Sequence, residues 1–335
     1  MNSTKIITFD YLKNNCLVHA KVSKIFKQRI KNKILEKYGS LNKYANKHLK
    51  ICPNTIGLEF RHNKYFKFKR LLRVIKDVNV LEEELYNDIS AFFARGSHSF
   101  RELILNKEIL VDEFFVEGYA LYLAEGDTGF SGKTKPRKFR FTNSEINVIN
   151  HMIRWIKTYF PNNDFYVNVI TPNGKHINFD GIRKSLEIDK VNLKEGYYNK
   201  VIKYIINLNQ TILIDLILAI EPKIKELCRH DKKLAAAYIR GMMIGEGTAY
   251  FNRSRYVRIE MRNEKEIKYL HELFKLLGYD CKPSLRSERH NMWSIYIGAK
   301  QLAKFHREIG FGVHKKRQKT LEKGVNKRLR VNQYC

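Results

Sequence analysis

The spacing of apolar positions along the chain separates a first stretch, residues 1 to about 105, from everything after it. In that stretch apolar residues recur mainly at helical spacing, so it reads as a distinct, mostly α-helical domain. Ser40 stands where an N-cap would, ahead of Leu41, Tyr44, Ala45 and His48/Leu49, which share one helical face. The run from Lys50 to Asn54 breaks this pattern, and a second helix is expected from Thr55 through Ile75. Helix, short turn, helix, with the small Ala45 on the first and a basic, aromatic-rich second, resembles a helix-turn-helix whose second helix enters the major groove. Pro53 occupies the turn where a glycine would be expected.

Beyond about 107 the period changes repeatedly. A helix is expected from Asp112 to Glu125, apolar on most sides, with Gly126 as the left-handed residue that stops it. Residues 138–142 alternate, placing Lys138, Arg140 and Thr142 opposite Phe139 and Phe141, as in a half-buried strand. An amphipathic helix near 144–159, a strand at 165–170, a polar excursion to about 198 and an apolar strand-to-helix segment through 220 follow. The later stretch is expected to run helix 232–246 ending at Gly247, strand 256–262, helix 264–277, strands near 281–287 and 292–297, and helix 299–309. In the strand at 256–262, Arg258, Glu260 and Arg262 oppose Val257, Ile259 and Met261. Leaving the excursion aside, both stretches read helix, two strands, helix, two strands, helix.

The sequence itself repeats at matching places. Tyr119-Ala-Leu-Tyr-Leu-Ala-Glu125-Gly126 and Ile239-Arg-Gly-Met-Met-Ile-Gly-Glu246-Gly247 are apolar segments that each end in glutamate and glycine, roughly 120 residues apart. Small residues Ala120, Ala124, Gly241 and Gly245 fall on one face of each helix and would let the two pack backbone to backbone, bringing Glu125 and Glu246 out at the same end. A carboxylate at a helix C-terminus adds negative charge to partly negative carbonyls, so the pair calls for a cation. A hard divalent ion with oxygen ligands, Mg2+ or Mn2+, suits two carboxylates, water and phosphate oxygens.

Charge turns this toward a polyanion. Lys and Arg number 63 against 34 Asp and Glu, a formal net charge of +29, while 44% hydrophobic residues suffice for real cores. Nucleic acid is the expected partner. The five cysteines show no CxxC pairing, which argues against a zinc ribbon and a disulfide scaffold, and no segment has the unbroken apolar length of a membrane span. A cytoplasmic protein is expected. Residues 126–134 look like a phosphate-binding P-loop, but the glycines are wrongly spaced and the segment follows a helix, not a strand. The eleven histidines show no metal-ligand spacing.

The duplicated motif with its terminal acids, set in that element order, resembles the LAGLIDADG homing-endonuclease family, specifically its single-chain, two-motif members, over roughly 107–330. Ala120 stands at the family's first glycine in copy one, whereas copy two keeps Gly241, Gly245, Glu246 and Gly247. The resemblance implies an α+β fold of two tandem αββαββα halves with pseudo-twofold symmetry, at 107–225 and 230–330, behind the helical domain at 1–105. It implies a monomer that cuts double-stranded DNA, with Glu125 and Glu246 as catalytic, metal-holding acids. Lys135, Arg137, Lys138 and Arg140 in the first half, and Arg253, Arg255, Arg258 and Arg262 in the second, would meet phosphates or guanine edges. Residues 309–324 resemble the segment that supplies the family's active-site cation, with Lys315 the best match and Lys316 beside it. The rivals on the same fold are a non-catalytic DNA-binding transcription regulator and an RNA-binding intron maturase. Retention of both acids favours the enzyme; the N-terminal helix-turn-helix and Ala120 in place of glycine favour a regulator.

Overall fold

The computed structural model describes residues 4–331 except 16, 62–64, 96–101, 128–137, 162, 173–177, 197–200, 209, 253 and 287–290. The chain begins β1 (Lys5–Ile7), α1 (Thr8–Leu12), β2 (Val18–Lys21), α2 (Lys24–Tyr38) and α3 (Leu41–Lys43), the last continuing as a π-helical turn over Tyr44–Leu49. Next come α4 (Pro53–Glu59), β3 (Phe66–Lys67), α5 (Phe68–Asp77), α6 (Glu82–Asp88), β4 (Ala91–Arg95), β5 (Glu102–Leu105) and β6 (Glu108–Leu110). A sheet ordered β3-β2-β4-β5 and the pair β1-β6 are additions to the helices expected here. Strands this short, two to five residues long, carry too little alternation to be read from sequence. Because β6 pairs with β1, residues 108–110 belong with the N-terminal elements rather than with the segment that follows.

The expected helix from Thr55 to Ile75 is two helices. Pro53 opens α4 at its first turn, where a missing N–H costs nothing, and the preceding turn is made by Lys50 in the left-handed region (φ 54°). The buried Lys27 ammonium, donating to Glu59 O at 2.8 Å and Arg61 O at 3.0 Å, satisfies the carbonyls at the end of α4. Ser40 caps its helix as expected, its hydroxyl accepting from Lys43 N.

The remaining elements are α7 (Glu113–Glu125), β7 (Gly126–Asp127), β8 (Phe139–Asn143), α8 (Ile146–Tyr159), β9 (Tyr166–Pro172), α9 (Phe179–Ser185), β10 (Val191–Gly196), β11 (Lys203–Leu208) and α10 (Thr211–His230), then α11 (Lys232–Glu246), β12 (Gly247–Phe251), β13 (Arg255–Met261), α12 (Glu264–Leu276), β14 (Pro283–Arg286), β15 (Met292–Gly298), α13 (Leu302–Glu308) and α14 (Lys315–Val331). One sheet runs β10-β9-β11-β8-β7 and the other β14-β15-β13-β12. Apart from β10, each has at one edge the strand that directly follows an acid-bearing helix, and the remaining strands in the same succession. The polar excursion contains α9 and β10, and β10 joins the sheet as a parallel edge strand beside β9. Only Asp231 separates α10 from α11, so the two stretches meet at a helix-to-helix corner.

Strand register follows the alternation. Phe139, Phe141, Val257 and Ile259 are buried against the helices, whereas Arg140, Arg258 and Glu260 face the other way. The two helices that end in glutamate, α7 and α11, pack together, and most of their residues are buried. The N-terminal elements are joined to this body partly through Asn163, whose side chain bonds both Ile104 N at 2.7 Å and Ile104 O at 2.8 Å. Among the described residues, no helix is long and apolar enough to cross a membrane.

Candidate active site

Each acid is placed by a capped helix of fixed length. Asp112 accepts from Phe115 N at 2.7 Å to start α7, and Asp231 accepts from Lys233 N at 2.7 Å and Leu234 N at 3.2 Å to start α11. The contact between the helices has no room for side chains. A Cβ on Gly241 would lie 2.2 Å from Glu117 O, and one on Gly245 would lie 2.5 Å from Ala124 Cβ and 3.0 Å from Glu125 Cγ. Further along the interface, Arg240 donates to Glu117 Oε2 at 3.0 Å and to Ile309 O at 2.6 Å, while His151 Nε2 lies 3.2 Å from Glu117 Oε1.

Gly126 and Gly247 do not end their helices by a left-handed turn. Both are extended, at φ −72° and −74°, and lead straight into β7 and β12. A Cβ would come within 2.3 Å of Tyr122 O at Gly126 and 2.5 Å of Met243 O at Gly247. Glycine serves there to let the first strand turn back tightly against the end of its own helix.

The two acids share one electrostatic environment. Burial first, and the neighbouring Glu246 second, push the Glu125 carboxyl up to about 7, against a smaller opposing pull from Arg317. Glu246 is more open, but protein around it still raises its pKa, again opposed by Arg317. Arg317, on the first turn of α14, donates through Nη1 to Gly245 O at 2.8 Å, Met243 O at 3.2 Å and Ile244 O. It thereby covers the last carbonyls of α11, of which Met243 O also accepts from Gly247 N, where the helix dipole is negative. Burial lowers its pKa, and Glu125, Glu246 and Glu145 favour its charged form. His314, buried just before α14, is held at about 4 by burial and by Arg317, so it is neutral at pH 7.

Arg317, which the sequence alone did not single out, is the cation electrostatically coupled to both acids. Lys315 and Lys316 are exposed, whereas the residue that reaches the acids lies in the same Lys-Lys-Arg run. The run announces basic charge near the site; only the rotation of α14 selects which member points inward.

The strand residues divide by geometry. Arg140 pairs with Asp127, two residues beyond Glu125, and Lys138 is half-buried on the same alternation. Arg258 pairs with Glu260 at 3.0 Å and sits over the Tyr256 ring at 5.7 Å, and Arg286 joins the same Glu260 at 2.5 Å. Arg255 lies on the other face of β13 and donates to Gly324 O at 3.1 Å, so its guanidinium holds α14 rather than standing in a row with Arg258. Arg262 is exposed just past β13 and, with Glu246, Glu221 and Asn263, lines a cavity of about 290 Å³. Lys135, Arg137 and Arg253 lie outside the described residues.

Two carboxylates disfavoured in their charged state by burial, Glu125 also by Glu246, form a donor set that suits a hard divalent cation, provided that phosphate and water supply the other ligands. Among the described residues no group of three or more His, Cys, Asp or Glu side chains is placed to hold a metal ion.

No protein-family model matches the chain, and neither does any curated protein. Among solved structures it is similar to I-DmoI in complex with DNA and Mn, at 12% identity over 60% of this chain and 98% of that one, with a TM-score of 0.39. It is also similar to the N-terminal LAGLIDADG domain of DUF199/WhiA, at 15% identity over 59% and 82% with a TM-score of 0.36. Full-length DUF199/WhiA from Thermatoga maritima gives 15% identity over 65% of this chain and 61% of that one, with a TM-score of 0.39.

Proposed function

We propose that the protein is a divalent-metal-dependent endonuclease of the LAGLIDADG type that cuts both strands of a specific DNA duplex, with Glu125 from one half and Glu246 from the other as its acids. One observation carries this reading. Two helices packed through Gly241 and Gly245 present their terminal glutamates together; burial raises the cost of ionising both, and Glu246 adds to it for Glu125. Stability alone gives no reason to hold two acids there.

The open faces of the two sheets, β10-β9-β11-β8-β7 and β14-β15-β13-β12, would follow the duplex on either side of the acids. Glu125 and Glu246 would hold Mg2+ or Mn2+, ionised together once a cation is present. The chemistry that the two acids would thereby bring to the site is polarisation of the phosphoryl group and activation of water. Arg317 would fix the end of α11, and with it Glu246, while adding positive charge beside the scissile phosphates. Arg140 would act beside Asp127 on the inner strands, and Arg258 and Arg262 on the second sheet. Residues 41–59, with the helix-turn-helix arrangement of α3, its π-helical turn and α4, would contact DNA as a separate module on the same monomer.

Arg317 also favours a second reading. A guanidinium that already offsets both acids can stabilise the pair without metal, as a DNA-binding regulator that does not cut would require. Incubating the protein with a randomised duplex library in Mg2+, Ca2+ or EDTA separates the two. The endonuclease reading expects double-strand cuts in Mg2+ with binding retained in Ca2+. Sequence-selective binding that is equal in all three, without cuts, supports the regulator. Selective binding to structured RNA instead of duplex DNA supports the maturase.

A further inference from the structure

The insertion within the first half forms an ordered part of a sheet. At the end of α9, Asn150 Nδ2 donates to Ser185 O at 2.7 Å and Asn150 Oδ1 accepts from Glu187 N at 3.1 Å, tying the segment to α8. Lys190 pairs with Asp164 just before β10 begins. β10 then runs in parallel register beside β9 for six residues, from Val191 opposite Val167 to Gly196 opposite Pro172.

That register continues the open face of the sheet in rows. The first runs Asp127, Arg140, Asn207, Tyr166 across β7, β8, β11 and β9, with Asn207 itself buried. The next runs Thr142, Ile205, Asn168, Asn192, reaching β10, and the third Lys203, Ile170, Lys194. Asn192 and Lys194 are exposed, and Asn192 Nδ2 donates to Asn168 Oδ1 at 3.3 Å. That bond leaves Asn192 Oδ1 as an acceptor and Asn168 Nδ2 as a donor, the two functions that complement adenine N6 and N7. β10 is also the strand farthest from Glu125 in sheet order, and among the described residues the other sheet ends at β14.

We infer that β10 extends the DNA-reading surface outward, making the recognised site longer on the side of the first sheet, with Asn192 and Asn168 reading an outer A·T pair and Lys194 meeting a phosphate. This inference rests on the proposed binding of duplex DNA to the open sheet faces. Strands are spaced about 4.8 Å apart and base pairs rise about 3.4 Å, so one strand adds one to two base pairs.

The test is selection of bound sequences from a randomised duplex library, in Ca2+ and at several salt concentrations, with wild type, the double variant Asn192→Ala/Lys194→Ala and Arg140→Ala. Both altered β10 residues are exposed, and unchanged melting of the double variant establishes that it folds. Wild type should show an outer A·T preference on one side only. The double variant should lose it by roughly fivefold or more and flatten the log–log salt slope by about one counterion, with inner positions intact. Arg140→Ala should change inner positions instead. If Arg140→Ala alters the selected sequence and the β10 variant leaves both the outer preference and the salt slope unchanged, the inference is overturned while the DNA reading stands. If wild type selects no duplex sequence, or selects only RNA, both fall together.

Discussion

Replacing Glu125 by glutamine should stabilise the metal-free protein, and by an amount that depends on pH. The substitution keeps size and removes charge at every pH. In the wild type, burial and Glu246 raise the Glu125 carboxyl from 4.5 to about 7. Such a rise corresponds to about 3 kcal/mol of cost for the ionised form, reduced to about 2 kcal/mol because the side chain is only partly enclosed. The sign follows from proton counting. Between pH 4.5 and 7 the folded protein binds more protons at this site than the unfolded chain, so stability falls as pH rises; below 4.5 both states are protonated, and above 7 the full penalty persists. Denaturant unfolding of wild type and Glu125→Gln in EDTA, at pH steps from 4.5 to 8.5, isolates this group with its coupling to Glu246 and Arg317, because titrations elsewhere cancel in the difference. The variant should equal wild type near pH 4.5 and exceed it by about 2 kcal/mol at pH 8. Added Mg2+ should close that gap by stabilising the wild type alone. A difference that stays flat across pH, or a variant that is less stable at pH 8, would refute the coupled-acid geometry.

Arg317→Met should cost about 1–3 kcal/mol, because the last carbonyls of α11 lose their donor, and it should move the rise of cleavage with pH to higher pH; Lys315→Ala should leave stability within about 0.5 kcal/mol and cleavage within about threefold. Unfolding curves and pH–rate profiles of both variants check this, and equal damage from Lys315→Ala would contradict the assignment. Gly245→Ala gains up to about 1 kcal/mol in helix propensity but puts a methyl group 2.5 Å from Ala124 Cβ, so a net loss of stability and weaker Mg2+ binding by calorimetry are expected. Phe139→Ala should destabilise by about 3–5 kcal/mol without changing site preference, whereas Arg258→Ala should alter DNA preference or salt dependence with little change in melting; the reverse pairing would put both strand faces the wrong way round.

Much of this architecture is written in short-range pattern. The bounds of α11, the alternation of Phe139 and Phe141 against Arg140, and the facing of Ile259 against Arg258 all follow from period and capping residues visible in one sequence. The paired glutamates were legible because the motif occurs twice. What escaped depends on tertiary placement. The continuous helix expected from Thr55 breaks after α4, where Lys27 of a different helix covers the final carbonyls. The polar excursion shows no repeat counterpart, yet β10 finds its partner by parallel pairing with β9, for which an isolated hexapeptide carries no signature. Gly126 and Gly247 are conspicuous, but the sequence could not distinguish a left-handed stop from a close approach to a carbonyl. The choice of Arg317 over Lys315 turns on the phase of α14 about its axis.

The most direct measurement is strand-resolved sequencing of ends produced from a randomised duplex library in Mg2+ by wild type, Glu125→Gln and Glu246→Gln, at matched occupancy of DNA. Wild type should yield double-strand breaks at one selected sequence, and each variant should bind that sequence at least as well while losing double-strand cleavage by about a hundredfold or more. Undiminished double-strand breaks from either variant, or no Mg2+-dependent cutting by a wild type that selects the same sequence, would contradict the two-acid mechanism.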